Sequence, residues 1–480
     1  MTARTGQNYI DGLRDARTVW LGSEKIDITK HPSVKGSVQG LAGYFDWQHR
    51  YADECLVDDP ETGEKMSAGL IIPRNAQDLA RRHDAFERLA HYSFGMLGRT
   101  PDYVNVTLAG FVARSDVFTK SNGDRTGAER LYRFYREVVE KDLAMTHTII
   151  HPAIDRGTGE LDGLNGELAA RIVRRTENGV IVRGAKVLAT LGPFADELFV
   201  YPAGPLPRGA APEYAICFSI PLATKGLVTL CRDHYGSQHD RRDHPFSSRF
   251  DEQDAYMIFD DVEVPYERLF IDSDVDMYNG VRHAGWAANV FQQTSIRAAV
   301  KLEFAYDMCC RMAKVMNAEA RPEVAAALGE IWCYAQATRA ATTAAEACAH
   351  DNGNGAFFCD DRPLRAIRGL MPNWMIRTNE IIKMLGSHNL LATPSLALFD
   401  NPEIAPLIER YMPGAKGIDA KERAKVFRAA WDFAGSGLGG RVELYERFYL
   451  GSQAKNFTRE HMQSLQEGGF GHFDAFLDDV

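Results

Sequence analysis

Residues 171–192 read RIVRRTENGVIVRGAKVLATLG. Two short β-prone runs flank Asn178-Gly179, a pair that tolerates the positive φ angles of a tight hairpin turn. The segments that follow, ELFVYP, YAICFSIP, GLVTLCR and AYMIFDDVEVPY, are short and rich in β-branched and aromatic residues. Gly, Pro and Asp clusters separate them. Together they predict a small antiparallel β-domain over residues 148–275.

The flanks have a different period. Residues 1–147 read as helical. In AQDLARRHDAFERLAHYSFGM, Asn75 is a candidate N-cap with Asp78 three residues on. In ERLYRFYREVVEKDLA, Leu131, Phe134, Tyr135, Val138 and Val139 fall on one helical face. Over 276–480, three long Ala- and Leu-rich segments begin at NVFQQTSIR, PEVAAALGE and LRAIRGLMP. They are apolar on more than one face, which predicts a bundle buried on more than one side and covered by another subunit. The fold class is therefore α+β, in the order helical, β, helical.

The chain has 480 residues, 45% of them hydrophobic and 25% charged, as an ordinary globular protein does. A net charge of −10 argues against nucleic acid or an anionic membrane as an obligatory partner. The N-terminal MTARTGQNYIDGLRD has no apolar core of a secretory signal. No run approaches the ~18 apolar residues of a membrane span. The eight cysteines are scattered without a CxxC pair, so a reduced, cytoplasmic protein is expected.

Four clusters can carry chemistry. In LGRTPDYVNV (97–106), Pro101 disfavours helix at the residue before it, which predicts a turn carrying Arg99 and Tyr103. In LAMTHTIIHPAIDR (143–156), His147 and His151 are four apart, but Pro152 and the β-branched run argue against a helical metal pair. His147 is instead a candidate base or hydrogen-bonding group. Thr190 ends a strand before a Gly-Pro turn. AGSGLGGRVELYERFYLGS (434–452) is glycine-rich but follows a helix, which weakens a dinucleotide-fold reading. Asp272, Asp274 and Asp276 alternate like a calcium loop, yet Met277 stands where such a loop needs Gly, so they predict a solvated turn.

The helical–β–helical order, GRTPDY, THTIIHP and HPFSSRFDEQDAYMIFDDVEVPYERLF together resemble the 4-hydroxyphenylacetate 3-hydroxylase family, over about residues 5 to 455. These are the oxygenase components of two-component flavin monooxygenases with an acyl-CoA-dehydrogenase-like fold. The resemblance implies FAD, used as FADH2, with O2 as co-substrate. It also implies a separate NAD(P)H:flavin reductase and a homotetramer built as a dimer of dimers. The implied activity is ortho-hydroxylation of a para-substituted phenol to a catechol. Implied substrates resemble 4-hydroxyphenylacetate, tyrosine or a halophenol, free or tethered to a carrier protein in natural-product assembly.

By the same resemblance, Arg99, Tyr103 and His147 contact the phenolic oxygen. The residue types suit the chemistry. An electrophilic oxygen attacks a phenolate faster than a phenol, and a free phenol ionises only near pH ~10. Arg supplies a permanent cation, Tyr a donor, and His is expected as the proton acceptor. The flavin contacts carried over are Arg99, Ala153, Arg156 and Thr190, with Arg441, Tyr449, Gly451 and Ser452 near the C-terminus. Thr190 would lie by the reactive edge of the isoalloxazine. Pro202, Ala203 and Gly204 belong to the loop YPAGPLPRGAAPEYA (201–215), in the place of the substrate-covering loop. Some chlorophenol-oxidising members carry a histidine where this chain has VFQQTSIR; Gln292 and Gln293 cannot act as bases, which leaves that burden on His147.

Two rivals share the fold. A 4-hydroxybutyryl-CoA dehydratase needs cluster-binding cysteines where this chain has Arg99 and Tyr103, and no Cys lies between 55 and 217. An acyl-CoA dehydrogenase would need a catalytic Glu in the C-terminal bundle, and its signatures match less well.

Overall fold

The structure is a computed structural model and describes residues 3–155, 157, 159, 161–236 and 240–479. It divides into two compact units. One comprises residues 1–301 and 346–359, the other 302–345 and 360–480. The partition expected from periodicity, with breaks at 147 and 275, differs from this one. His147 lies inside a strand, and the first turns of the long helix Trp286–Val315 belong with the first unit.

In the first unit the strands are β1 (Thr18–Leu21), β2 (Glu24–Ile26), β3 (Leu56–Asp58), β4 (Lys65–Ser67), β5 (Met145–Thr148), β6 (Arg171–Arg175) and β7 (Gly179–Thr190). They continue as β8 (Glu197–Val200), β9 (Ile216–Pro221), β10 (Leu227–Cys231), β11 (Asp254–Pro265) and β12 (Leu269–Asp272). Six form a sheet in the order β2-β1-β10-β11-β7-β6, and four form another, β12-β9-β8-β5. β6 and β7 form the predicted antiparallel hairpin, but Gly179 is already the first residue of β7 and neither it nor Asn178 takes a positive φ.

Two features depart from expectation. β1 and β2 come from the region read as helical, and β1 runs parallel to β10. β5 likewise runs parallel to β8, so neither sheet is purely antiparallel. Thr18–Leu21 is only four residues long, too short for alternation to show, and it is held by a partner more than 200 residues away in sequence.

The apolar faces of the two sheets supply one core. Val180, Val182, Leu198, Val200, Phe218, Ile220, Met257, Phe259, Val262 and Leu269 are buried together. Phe218 and Phe259 meet edge to face at 5.9 Å, a favoured aromatic geometry. The helix Thr126–Lys141 buries Leu131, Phe134, Tyr135, Val138 and Val139, the predicted face. Asn75 caps the helix Ala76–Ser93 by accepting from the Asp78 N–H at 2.9 Å.

The second unit is helical. Its long segments include Asp361–Gly386, Ala420–Ala434, Gly437–Phe448 and Gln453–Gln466. Leu364, Ile367, Met371 and Ile382 of the first face inward, as do Phe427 and Phe433 of the second. Among the described residues no helix is long and apolar enough to cross a membrane.

Candidate active site

Pro101 fixes where Arg99 stands. The helix Pro101–Ala113 begins with proline at its first position, where the missing N–H costs no hydrogen bond. Tyr103 therefore lies in the first helical turn, not on the predicted turn, and Arg99 just precedes it. The Arg99 guanidinium carbon sits 3.9 Å from the centre of the Tyr103 ring, a cation–π contact. The Arg99 backbone N–H donates to the Glu252 carboxylate. Arg99 is 7% exposed and Tyr103 is 1% exposed, so the cation is nearly dry.

Asp102 holds this helix start in place. It accepts from the Tyr44 hydroxyl at 2.9 Å and from Gln293 Nε2 at 2.7 Å. Burial pushes its carboxyl up from the usual range, while Thr100, Gln293 and Tyr44 pull it back as donors. Gln292 accepts from Arg82 Nη2 at 2.7 Å and donates to Glu346 at 2.7 Å. Both glutamines of VFQQTSIR thus serve hydrogen-bond networks, Gln293 at the helix start and Gln292 between Arg82 and Glu346.

His147 arrives from β5. The parallel ladder pairs it with Phe199 and Thr148 with Val200, which brings Tyr201, one residue beyond β8, alongside it. The Tyr201 hydroxyl lies 2.7 Å from His147 Nδ1. The His147 ring stands edge-on to Tyr103 at 5.5 Å and to Tyr201 at 5.2 Å. Burial, and then the Arg99 charge, hold the His147 imidazole well below its ordinary value, so it is neutral at physiological pH. Three predicted residues from two separate elements therefore meet in one buried corner, with Tyr201 as a fourth member.

Thr190 ends β7 and is tied to the strand that carries His147. The Thr146 hydroxyl, from the residue before His147, donates to the Thr190 carbonyl. The Thr190 hydroxyl donates to Asp254 Oδ1 at 2.8 Å, and Arg232 Nη2 grips the other Asp254 oxygen at 3.1 Å. A hydroxyl that donates in this way has only lone pairs left to offer. Beside this edge Ile150 and Leu188 are 48% and 47% exposed, on strand segments bridged at Ile150 and Val187. An apolar shelf and an acceptor suit a flat ring with an N–H on its edge, so these residues fit a reduced flavin. Ala153 is exposed beyond the shelf. Arg156 lies outside the described residues.

Lys186 and His151 form a buried pair that sequence reading did not single out. Lys186 Nζ lies 3.3 Å from His151 Nε2, and burial with the Lys186 charge lowers His151 to about 3. The available signal was a lysine at an inward position of the β7 alternation. Glu252 and Asp254 were likewise visible only as part of an acidic run.

Pro202, Ala203 and Gly204 follow Tyr201 in the loop before β9. A Cβ on Gly204 would meet no atom within 4 Å, and the Leu206 N–H donates to Asn279 at 2.9 Å. In the second unit, Arg441 lies in the helix Gly437–Phe448 with its guanidinium 4.6 Å from the Tyr445 ring centre. Tyr445 stacks on Tyr449 at 4.5 Å. Gly451 adopts φ +93°, and Ser452 caps the helix Gln453–Gln466. The glycine-rich stretch is a helix start capped by Ser436, not a strand–turn–helix, as its sequence context predicts. Asp274 caps the short helix Val275–Gly280 and Asp272 pairs with Arg175. Among the described residues no group of His, Cys, Asp and Glu is arranged to hold a metal.

A neutral imidazole, a phenol and a guanidinium thus converge in one buried corner, an arrangement that can hold an anionic or acidic oxygen. Residues 5–271 and 282–464 match the N- and C-terminal regions of 4-hydroxyphenylacetate 3-hydroxylase, and the chain belongs to that family. It is 35% identical over 461 residues to the 4-hydroxyphenylacetate 3-monooxygenase oxygenase component of Thermus thermophilus, covering 95% of this chain and 93% of that one. It is 31% identical over 485 residues to a Streptomyces globisporus monooxygenase of a (3S)-3-amino-3-(3-chloro-4-hydroxyphenyl)propanoyl group on a peptidyl carrier protein, covering 99% and 89%. A solved oxygenase component of 4-hydroxyphenylacetate 3-monooxygenase, complexed with FAD and 4-hydroxyphenylacetate, superposes with TM-score 0.93 at 33% identity, covering 99% of both chains. An archaeal 4-hydroxybutyryl-CoA dehydratase shares the fold at TM-score 0.88 but only 19% identity, covering 100% of this chain and 95% of that one. The α+β class read from the sequence is the class observed.

Proposed function

We propose that this chain is the oxygenase component of a two-component monooxygenase that converts a para-substituted phenol to a catechol with FADH2 and O2. A single observation carries the reading: Arg99, Tyr103 and His147, distant in sequence, line one buried corner. Bound reduced flavin, together with O2, supplies an electrophilic oxygen atom. The chain's own residues prepare the acceptor ring. Arg99 places a permanent charge against the phenolic oxygen, and the neutral corner around it excludes the water that would screen that charge. Tyr103 and His147 orient the oxygen through hydrogen bonds. Thr190, its proton directed to Asp254, offers an acceptor to the cofactor's edge. Ala153, Arg156, Arg441, Tyr449, Gly451 and Ser452 complete the cofactor's contacts in this reading.

The para substituent extends toward the loop of Pro202, Ala203 and Gly204, where free space at Gly204 supports a chain of some length. A carrier-bound substrate such as that of the Streptomyces relative is within this reading, as is a free acid. The supply of FADH2 falls to a separate NAD(P)H:flavin reductase, the assembly is a homotetramer, and the location is cytoplasmic. The test is an assay with a flavin reductase and a panel of free and carrier-bound phenols, scored for catechol. Catechol from at least one of them supports the reading; peroxide alone across the panel refutes it.

A further inference from the structure

One short segment, residues 251–254, reaches both Arg99 and Thr190. The Glu252 carboxylate accepts from the Arg99 N–H, and Asp254 Oδ1 accepts from the Thr190 hydroxyl at 2.8 Å. The Glu252 carbonyl also accepts from the Leu191 N–H at 2.9 Å, which pins the segment to the end of β7. Three of its four residues are acidic, and they repel one another unless they share a cation. Arg232, the residue after β10, supplies it. Its Nη2 donates to Asp251 Oδ1 at 2.6 Å and to Asp254 Oδ2 at 3.1 Å. Nη1 donates to Asp251 Oδ2 at 3.1 Å, and Nε to Asp254 Oδ2 at 3.2 Å. Nη1 also reaches Gln253 Oε1 at 3.3 Å, and Gln253 Nε2 donates in return to the Arg232 carbonyl. This clasp offsets the cost of Gln253, whose φ of +52° lies in the left-handed region.

Asp251 is the fixed end of the bridge. It is fully buried and accepts from the Tyr235 N–H at 2.7 Å, while its carbonyl accepts from the Ser37 hydroxyl at 2.7 Å. Burial pushes its carboxyl up, but its partners, Arg232 foremost, outweigh that and hold it below the usual range. The bond directions follow from the groups themselves: a guanidinium only donates, and a carboxylate gripped by one only accepts. Thr190 therefore gives its proton to Asp254. We infer that Arg232 is a positioning residue for both parts of the site, turning Asp254 toward Thr190 and fixing Glu252, between Asp251 and Gln253, against the Arg99 backbone. This role rests on the phenol-hydroxylase reading above. Two properties of the loaded site then depend on one cation: the preference for reduced flavin through Thr190, and the affinity for a phenolate through Arg99.

The experiment is a set of anaerobic titrations of the full-length chain with FADH2, with FAD, and with 4-nitrophenolate at saturating FADH2. Arg232→Lys keeps the charge but cannot hold Asp251, Gln253 and Asp254 at once. Its preference for reduced over oxidised FAD and its affinity for 4-nitrophenolate should each fall about fivefold. Asp254→Asn should lower the flavin preference and leave the phenolate affinity unchanged, because Glu252 keeps its own ties. Adding Arg232→Lys to Asp254→Asn should then cost no further flavin preference and still cost phenolate affinity, whereas a general loosening would add in both readouts. Asp251→Asn keeps an acceptor for the Tyr235 N–H but removes the fixed carboxylate. It should lower both readouts, and it decides alone should Arg232→Lys not fold. Unchanged values in Arg232→Lys, or a fall in only one of them, overturn the role of Arg232 and leave the proposed function standing. Additive losses of flavin preference in the double variant overturn it as well. A wild-type chain that binds FADH2 but not 4-nitrophenolate refutes the phenol reading, and the role of Arg232 with it.

Discussion

Replacing Arg99 by Ala tests the electrostatic core of this account. The guanidinium is buried against Tyr103 and carries the one permanent positive charge of the corner. At a contact distance of about 4 Å and an effective dielectric of about 20, its attraction for a phenolate is about 4 kcal/mol. That corresponds to about three pKa units of the bound phenol. The hydrogen-bonding groups Tyr103 and His147 remain in the variant, so we expect about two units to be lost. With the wild-type bound phenol ionising near about pH 5, the variant's ionises near about pH 7, and at about pH 6 the ionised fraction falls about tenfold. The assay is catechol formed per FADH2 consumed, followed against pH. In the wild-type chain this coupling is flat from about pH 6 to 9, because the phenol is already ionised. In Arg99→Ala it is about tenfold lower at about pH 6 and climbs to the wild-type level by about pH 8. Arg99→Lys, which keeps the charge and loses the planar fork, falls between the two. A flat, fully coupled profile in Arg99→Ala would refute the argument.

Three other substitutions probe separate parts of the structure. Burial alone would lower the His83 imidazole, but Glu346 and Glu87 overcome it and hold it up at about 9. Its folded pKa is thus raised, so its stabilisation, about 3 kcal/mol, is present below about pH 6.5 and lost as pH rises through about 9. Denaturant unfolding of His83→Gln should therefore fall short of wild type at pH 6 and converge with it above pH 9. Asp254→Asn replaces the charged acceptor of the Thr190 hydroxyl with a neutral amide oxygen. It should reduce the preference for reduced over oxidised FAD about tenfold in anaerobic binding titrations, the weight of one charged hydrogen bond. Gly40 lets the helix Lys35–Arg50 approach the Arg249 carbonyl, which an added Cβ would meet at 2.0 Å. Gly40→Ala should cost about 2 kcal/mol and lower the thermal midpoint by several degrees.

Local chemistry made some of this molecule legible. The β6–β7 hairpin, the Asn75 cap and the buried stripe of Thr126–Lys141 each depend on residues within a few positions of one another, and each forms as read. The family-specific run from Phe250 to Phe270 also holds β11 and its acidic approach. What escaped depends on partners far along the chain. Thr18–Leu21 becomes a strand because Leu227–Cys231 accepts it, and nothing in four residues announces that. Pro101 was legible as a break but not as the first residue of a helix, since the same φ serves both. Tyr201 looked like the opening of a mobile loop; only the parallel pairing of β5 with β8 sets it against His147. Gln292 and Gln293 could be read as non-bases, but not as the ties to Arg82 and Asp102 that they are.

The central claim is that one buried corner holds the substrate's oxygen as an anion beside the flavin's edge. It is tested most directly by an anaerobic crystal structure with reduced FAD and 4-hydroxyphenylacetate bound. We expect the phenolic oxygen within hydrogen-bonding distance of the Arg99 guanidinium, the Tyr103 hydroxyl and His147 Nε2, with the ring carbon next to it facing the Thr190 side. A ring bound with its hydroxyl turned away from Arg99, or with its carboxylate in that corner instead, would contradict the account.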